Sequence, residues 1–406
     1  MLKQRRDAGG NPLALPSRGE LARLRGCVRR AAERAAQQQP RPLPEKLPGL
    51  VGAKLGSLAP ARRRAWIVAR PYLRRPEMVH ALCRASHDAA RQDADHAERL
   101  ARAALELARA LDGKPFPALA ADLEAESLAM LANALRVQER YGEAAGSWLR
   151  ARLLLQAGTG DALLRARLDF LQTSFLRALR RLPEALEVGR RSLAAFQALE
   201  QWDEAFLAGL KLSYTLYVAG DPAAALEVLA DARHGVSPEV LARHRLGVLH
   251  NRALYLTELG LNREARRELY QAGPLYETEA TESLRLQRCW IEGKLLANAG
   301  RWWQAAGAFG GLRQLYLSAG RPFDAALVGM DLLLCLAEQG DLPAASRLAG
   351  ELLAVFAELE LPEETRAVLD RLDEAARRFR ADAALVRLAH GELQPLRRLP
   401  PRWSAV

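Results

Sequence analysis

The sequence predicts an all-α protein, an α-solenoid of antiparallel helix pairs, and three observations carry that prediction. The first is a recurrence. In Leu295–Leu312, LLANAGRWWQAAGAFGGL, a helix ends, the chain turns at Gly300, and a second helix starts with Ala305 and Phe309. Steps of 40 residues align Gly220 with Ala225, Gly260 with Ala265, Gly300 with Ala305 and Gly340 with Ala345, and Ala185 and Ala144 continue the series upstream. A period in the range of about 20–50 residues marks stacked supersecondary units that bury a continuous core. Second, no alternating strand pattern of any length is present. Third, half of the residues are hydrophobic but only 6% are aromatic, so Leu and Ala must fill that core.

Charge divides the chain. Residues 1–75 carry 18 Lys or Arg against four Asp or Glu, and the remainder carries 41 against 44, so the whole net charge of +11 originates in the first fifth. Only six of the basic residues are Lys. A GC-rich genome accounts for part of that Arg bias, but not for its position. The four cysteines, Cys27, Cys83, Cys289 and Cys335, form no CxxC pair, which argues against a disulfide framework and a zinc knuckle. No basic-then-apolar segment opens the sequence and no run of about 18 apolar residues occurs. A soluble, cytoplasmic protein without a membrane association is expected.

Along the chain, residues 1–54 read as a basic, Pro- and Arg-rich arm, broken at Asn11-Pro12, Pro16 and QQQPRPLPEKLPG, with one transient helix at Arg18–Gln38. Residues 55–75 read as a basic capping helix docked through Trp66, Ile67 and Leu73. The solenoid occupies residues 76–390, about seven helix pairs including a C-terminal cap, and residues 391–406 form a tail. Met78–Arg91 and Asp93–Ala110 make the first pair. Each later first helix carries a small or apolar crossing residue (Ala132, Thr173, Ser213, Ala253, Gly293) with a leucine three residues on: Leu135, Leu176, Leu216, Leu256, Leu296. Small residues let helix axes approach while the leucine fills the next layer. Glycine past the last helical turn accepts the left-handed backbone that ends a helix, and proline in the next opening turn loses no needed hydrogen bond. The last helices are expected at Pro362–Arg380 and Ala381–Leu393.

This spacing resembles the tetratricopeptide repeat. Leu128, Leu131, Ala132, Leu135, Tyr141, Ala144, Trp148 and Ala151 match its pattern, as do Gly293, Leu296, Gly300, Trp302, Ala305 and Phe309. The period is 40 rather than 34, similar to the extended repeats of kinesin light chain and of some bacterial regulators. The copy around Ala185 departs further, with Gly189 where a bulky residue is usual. The resemblance implies a right-handed superhelix, a concave face lined by the first helices, and a scaffold, adaptor or regulatory role.

No phosphate-binding loop, dinucleotide fingerprint, HExxH or GxSxG motif is present. His80, Cys83 and His87 share a helix face at i, i+3, i+7 beside Asp88, but Cys83 reads better as a core residue and the histidines as edge residues, so no metal and no cofactor is expected. His244 and His250 read as groove or edge positions, and Glu124 with Glu126 as a solvated helix face. The side chains expected to line the groove are Asn133, Arg136, Arg167, Phe170, Ser174, Arg177, Tyr214, Tyr217, His250, Thr257, Trp290, Lys294 and Asn298. Among them Asn133, Arg136, Arg167 and Arg177 resemble a carboxylate-gripping set, since amide and guanidinium donors suit a carboxylate. Tyr214, Tyr217 and Trp290 supply aromatic anchors. Trp302 and Phe309 belong to the core, and Trp303 faces the next repeat. A non-enzymatic protein that holds a protein or peptide partner in this groove is the leading expectation. Its alternatives are a nucleic acid or acidic protein face bound through Arg25, Arg29, Arg30, Arg62, Arg63 and Arg64, and a peptide or small-ligand sensor of a transcription or signalling system. The oligomeric state is left open.

Overall fold

A computed structural model describes residues 44, 46–90, 92–111, 116–356 and 383–393. Within them the chain forms 18 α-helices and one 3-10 turn, with no strand, and consecutive helices pack pairwise. The helices expected at Arg18–Gln38 and Pro362–Arg380 lie outside the described residues.

The N-terminal cap starts earlier than the sequence suggested. Helix α1 (Leu47–Ser57) begins inside the stretch expected to be an arm. Its Leu47, Val51 and Leu55 recur every four residues, and Pro48 occupies the first turn, where its missing N–H costs nothing. Gly52 lets Leu100 approach so closely that a Cβ there would lie 2.5 Å from Leu100 Cδ2. Helix α2 (Pro60–Val68) and the 3-10 turn Pro71–Leu73 follow. Ile67 and Leu73 are buried with Val51, Leu55, Leu82 and Leu100 in one cluster, with Trp66 partly buried at its edge.

Seven pairs follow: α3 (Pro76–Ala89) with α4 (Ala94–Ala110), α5 (Pro117–Val137) with α6 (Tyr141–Gln156), α7 (Ala162–Ala178) with α8 (Leu182–Ala198), and α9 (Trp202–Ala219) with α10 (Pro222–Asp231). After the short α11 (Pro238–Arg243) come α12 (Arg245–Glu258) with α13 (Asn262–Glu279), α14 (Glu282–Asn298) with α15 (Trp302–Ser318), and α16 (Pro322–Glu338) with α17 (Leu342–Phe356). Helix α18 (Ala383–Leu393) packs on α16.

One turn closes six of these pairs. The N–H groups of Arg140, Arg181, Asp221, Leu261, Arg301 and Asp341 donate to the carbonyls of Leu135, Leu176, Leu216, Leu256, Leu296 and Leu336, five residues back, at 2.9–3.0 Å. That bond requires a left-handed residue just before the donor. Gly220, Gly260, Gly300 and Gly340 supply it with φ between 70° and 101°, but Glu139 and Arg180 hold the same place at φ 61° and 63°. The crossing residues behave as their sizes imply. Ala132, Thr173, Ser213 and Ala253 are fully buried, and a Cβ on Gly293 would meet Phe309 Cε1 at 2.6 Å. Gly189, the odd residue of the third copy, is filled by Leu212 and Thr173 at 3.1–3.3 Å from where a Cβ would sit. Phe309 is core and Trp302 partly buried, whereas Trp303 is 79% exposed.

Each first helix touches the first helix of the next pair: α3 with α5, α5 with α7, and so on to α16 with α18. No comparable contact joins successive second helices. The first helices therefore form the inner, concave row. A ring contact of 6.5 Å between His87 on α3 and Phe170 on α7, two pairs apart, shows how tightly that row curves.

Two junctions are slack. A second helix normally packs closely on the following first helix, but the backbones of α6 and α7, and of α13 and α14, stand further apart and are bridged by side chains such as Trp148 against Phe175 and Arg288 over Tyr276. At the first junction, Asp122 on α5 instead holds the linker, accepting from the Thr159 N–H and hydroxyl at 3.0 and 2.5 Å. At the second, Pro274 lies inside α13 and cannot donate to the Tyr270 carbonyl, a break that turns helices off their axis.

Candidate partner-binding groove

The inner row places most of the predicted side chains in one strip and binds many of them to the next repeat. Asn133 is nearly buried, and its Oδ1 accepts from the Arg136 guanidinium at 3.1 and 3.3 Å. Arg167 is exposed and meets Glu204 of α9 at 3.4 Å. Phe170 carries the Lys211 ammonium 3.2 Å from its ring centroid, and the same Nζ donates to the Phe170 carbonyl at 2.7 Å. Further along the same helix, Arg177 Nη1 donates to Thr215 Oγ1 at 3.0 Å, with its guanidinium carbon 4.9 Å from the Tyr214 centroid. Tyr214 lies 5.9 Å from Tyr217, which stacks on buried Tyr255 at 5.3 Å.

Arg177 differs from the other cations of the row. No carboxylate pairs with it among the described residues, and burial pulls its guanidinium below the usual arginine range with only tyrosines nearby to offset the loss of water. Its place in the last turn of α7 gives it the negative end of the helix dipole, a partial compensation only. The strip thus holds a half-buried cation against the face of Tyr214. Such a place suits a carboxylate carried by a partner.

Beyond Tyr217 the groove is closed by its own contacts. Lys294 pairs with Glu258. Asn298 Nδ2 donates to the Thr257 carbonyl and Asn262 Oδ1 at 3.0 and 3.1 Å. Trp290 Nε1 donates to Asp331 Oδ2 at 2.6 Å, and Asp331 also takes His390 of α18 at 2.9 Å. These side chains tie α12, α14, α16 and α18 together.

Several expectations are corrected. His250 is 2% exposed and faces its own second helix, with Nδ1 2.6 Å from the Tyr276 hydroxyl, and burial lowers its pKa to about 4. Ser174 and Thr257 are also buried. Glu126, read as a solvated carboxylate, is buried and sits 2.7 Å from His80 Nδ1, and this hydrogen bond raises the His80 pKa. The helix-face trio is split: Cys83 Sγ is in the core, 3.8 Å from Ser127 Oγ, His80 meets Glu126, and His87 meets Phe170. Among the described residues no group of three or more His, Cys, Asp or Glu is placed to hold a metal ion. Of the basic candidates, Arg62 and Arg64 are exposed, while Arg63 is committed to Glu106 at 2.8 Å and the Leu58 carbonyl at 2.9 Å. Arg25, Arg29 and Arg30 lie outside the described residues. Trp66 is covered by the Arg70 guanidinium at 4.3 Å.

Sequence reasoning missed Lys211, Thr215, Tyr255, Glu258 and Asp331. Their signal was the period itself. Each lies 38–42 residues after an inner-row partner: Phe170, Arg177, Ser213, Tyr217 and Trp290.

Among the described residues no helix is long and apolar enough to cross a membrane. Compared with known proteins, the sequence matches no family model, and no curated protein aligns with it significantly.

Proposed function

We propose that the chain is a non-enzymatic scaffold of the tetratricopeptide kind that holds an acidic segment of a partner protein in its concave groove, between Arg136 and Tyr217. Arg177 carries this reading: a half-buried guanidinium without an acid partner among the described residues, on the inner row beside Tyr214, is a ready place for an anion. Asn133 and Arg136 supply further donors one repeat upstream, and Phe170, Tyr214 and Tyr217 supply apolar surface beside them. The closed stretch from Glu258 to His390 serves as a rigid abutment for this half of the groove.

The test is fluorescence polarisation with labelled decapeptides that share one aromatic residue and differ in Asp and Glu content, against wild type and Arg177→Met. Acidic peptides should bind more tightly than neutral ones, and Arg177→Met should weaken them at least about tenfold, the effect of removing one charge-assisted contact. Equal binding of acidic and neutral peptides, or an indifferent Arg177→Met, defeats the proposal.

A further inference from the structure

The two slack junctions each leave a cleft on the outer side of the solenoid, and their charges differ. The cleft at α6 and α8, of about 530 Å3, is balanced: Arg152, Arg165 and Arg191 face Asp169, Glu184 and Glu187. Asp169 takes Arg191 in a two-point ion pair at 2.7 and 2.8 Å. The cleft between α13 and α14, of about 760 Å3, presents Arg266, Arg288 and, from the turn after α14, Arg301 against Glu292 alone among its lining residues. Glu292 is engaged by Arg288 at 2.8 Å. Arg301 forms no ion pair among the described residues, and Arg266 reaches only the Leu295 carbonyl at 3.5 Å. The floor is apolar, made by Leu269, Pro274, Leu295 and Leu296, and Tyr270 stands 86% exposed at the mouth. Clefts of about 300–1,000 Å3 with an apolar floor and a few convergent polar groups are the usual form of a small-molecule site.

We propose that this outer cleft binds an amphipathic organic carboxylate, whose head group is taken by Arg266 and Arg301 and whose apolar body lies on Leu269, Pro274, Leu295 and Leu296 beneath Tyr270. The cause is built into the chain: Pro274 opens the junction, and the side chains exposed there carry excess positive charge over an apolar surface. The balanced cleft has the same origin and none of that excess, so it serves as an internal control. The site is independent of the concave groove and of any partner held there.

The experiment uses the full chain and decanoate, with decan-1-ol as the uncharged analogue, each displacing the reporter dye 8-anilinonaphthalene-1-sulfonate. Decanoate should displace the dye at least tenfold more effectively than decanol. Arg266→Gln/Arg301→Gln should weaken decanoate at least tenfold, and Arg152→Gln/Arg165→Gln at the balanced cleft should leave it unchanged. Glu292→Gln, which removes the only opposing charge and releases Arg288, should tighten decanoate about threefold, a gain that no folding defect produces. Equal competition by decanol, retained affinity in Arg266→Gln/Arg301→Gln, equal loss in the control variant, or weaker binding in Glu292→Gln overturns the proposal.

Discussion

Replacing Arg177 by Met separates a residue kept for binding from one kept for folding. Methionine preserves the unbranched stem between Tyr214 and Thr215 while removing the charge. The substitution loses the bond to Thr215 Oγ1 and the contact with the Tyr214 face, worth about 1.5–3 kcal/mol for a charged hydrogen bond and about 0.5–2 kcal/mol for the cation–π contact. It also removes the penalty of holding a cation partly away from water; that penalty is several kcal/mol for a fully buried ion and smaller for the half-buried Arg177. Thr215 is not orphaned, because its hydroxyl donates to the Lys211 carbonyl at 2.8 Å. The opposing contributions leave Arg177→Met close to neutral, within about 1 kcal/mol. Solenoids do not melt as one unit, so the measurement is amide hydrogen exchange at Lys211–Tyr217, where protection should be kept, together with loss of acidic-peptide binding. A drop in local stability of more than about 1 kcal/mol would mean that the guanidinium is already compensated, and the argument for a waiting anion site would fall.

Further outcomes follow from particular contacts. Gly293→Ala should cost about 1–3 kcal/mol, because the added Cβ would sit 2.6 Å from Phe309, while Gly307→Ala, with nothing within 4 Å, should gain up to about 1 kcal/mol; urea melts that move the same way for both refute the close crossing. At the left-handed turns, Gly300→Ala should lower and Arg180→Gly raise stability by about 1 kcal/mol each, read as opposite shifts of the thermal transition. The two inner histidines should titrate in opposite senses by NMR. His80, raised by Glu126, gives stability that is full below pH 6.5 and is lost as pH rises through its folded pKa, and Glu126→Gln should abolish this. His250, lowered to about 4, gives stability that is full above pH 6.5 and is lost as pH falls toward 4.

The repeat was legible because its marks are local and in phase: a glycine turn, an alanine five residues on, a leucine four residues before. The turns at Glu139 and Arg180 were not, since nothing in a single Glu or Arg announces a positive φ. What betrays them is the leucine four residues earlier, whose carbonyl accepts the closing bond. The groove was legible in part. Helical spacing placed Arg136, Phe170, Arg177 and Tyr214 on the inner row, but it does not say which face of a first helix turns toward its own partner, and so His250 was misplaced. Glu126 was misread for a related reason. Charge suggests solvent, and only the contact with His80 from the preceding repeat explains a buried carboxylate. The open junction at α6 and α7 has no mark in the sequence, whereas Pro274 was a visible mark of the one at α13 and α14.

Those junctions have a consequence for cooperativity. In a one-dimensional array, each unit is held by its own stability and by coupling to its neighbours. Between α6 and α7, and again between α13 and α14, the outer half of that coupling is thinner, and the inner contacts of α5 with α7 and of α12 with α14 carry most of it across. The chain should therefore behave as three cooperative blocks joined along one edge. Unfolding would then stop twice along the array, and strain applied at one end would pass to the other mainly through the lining of the concave face.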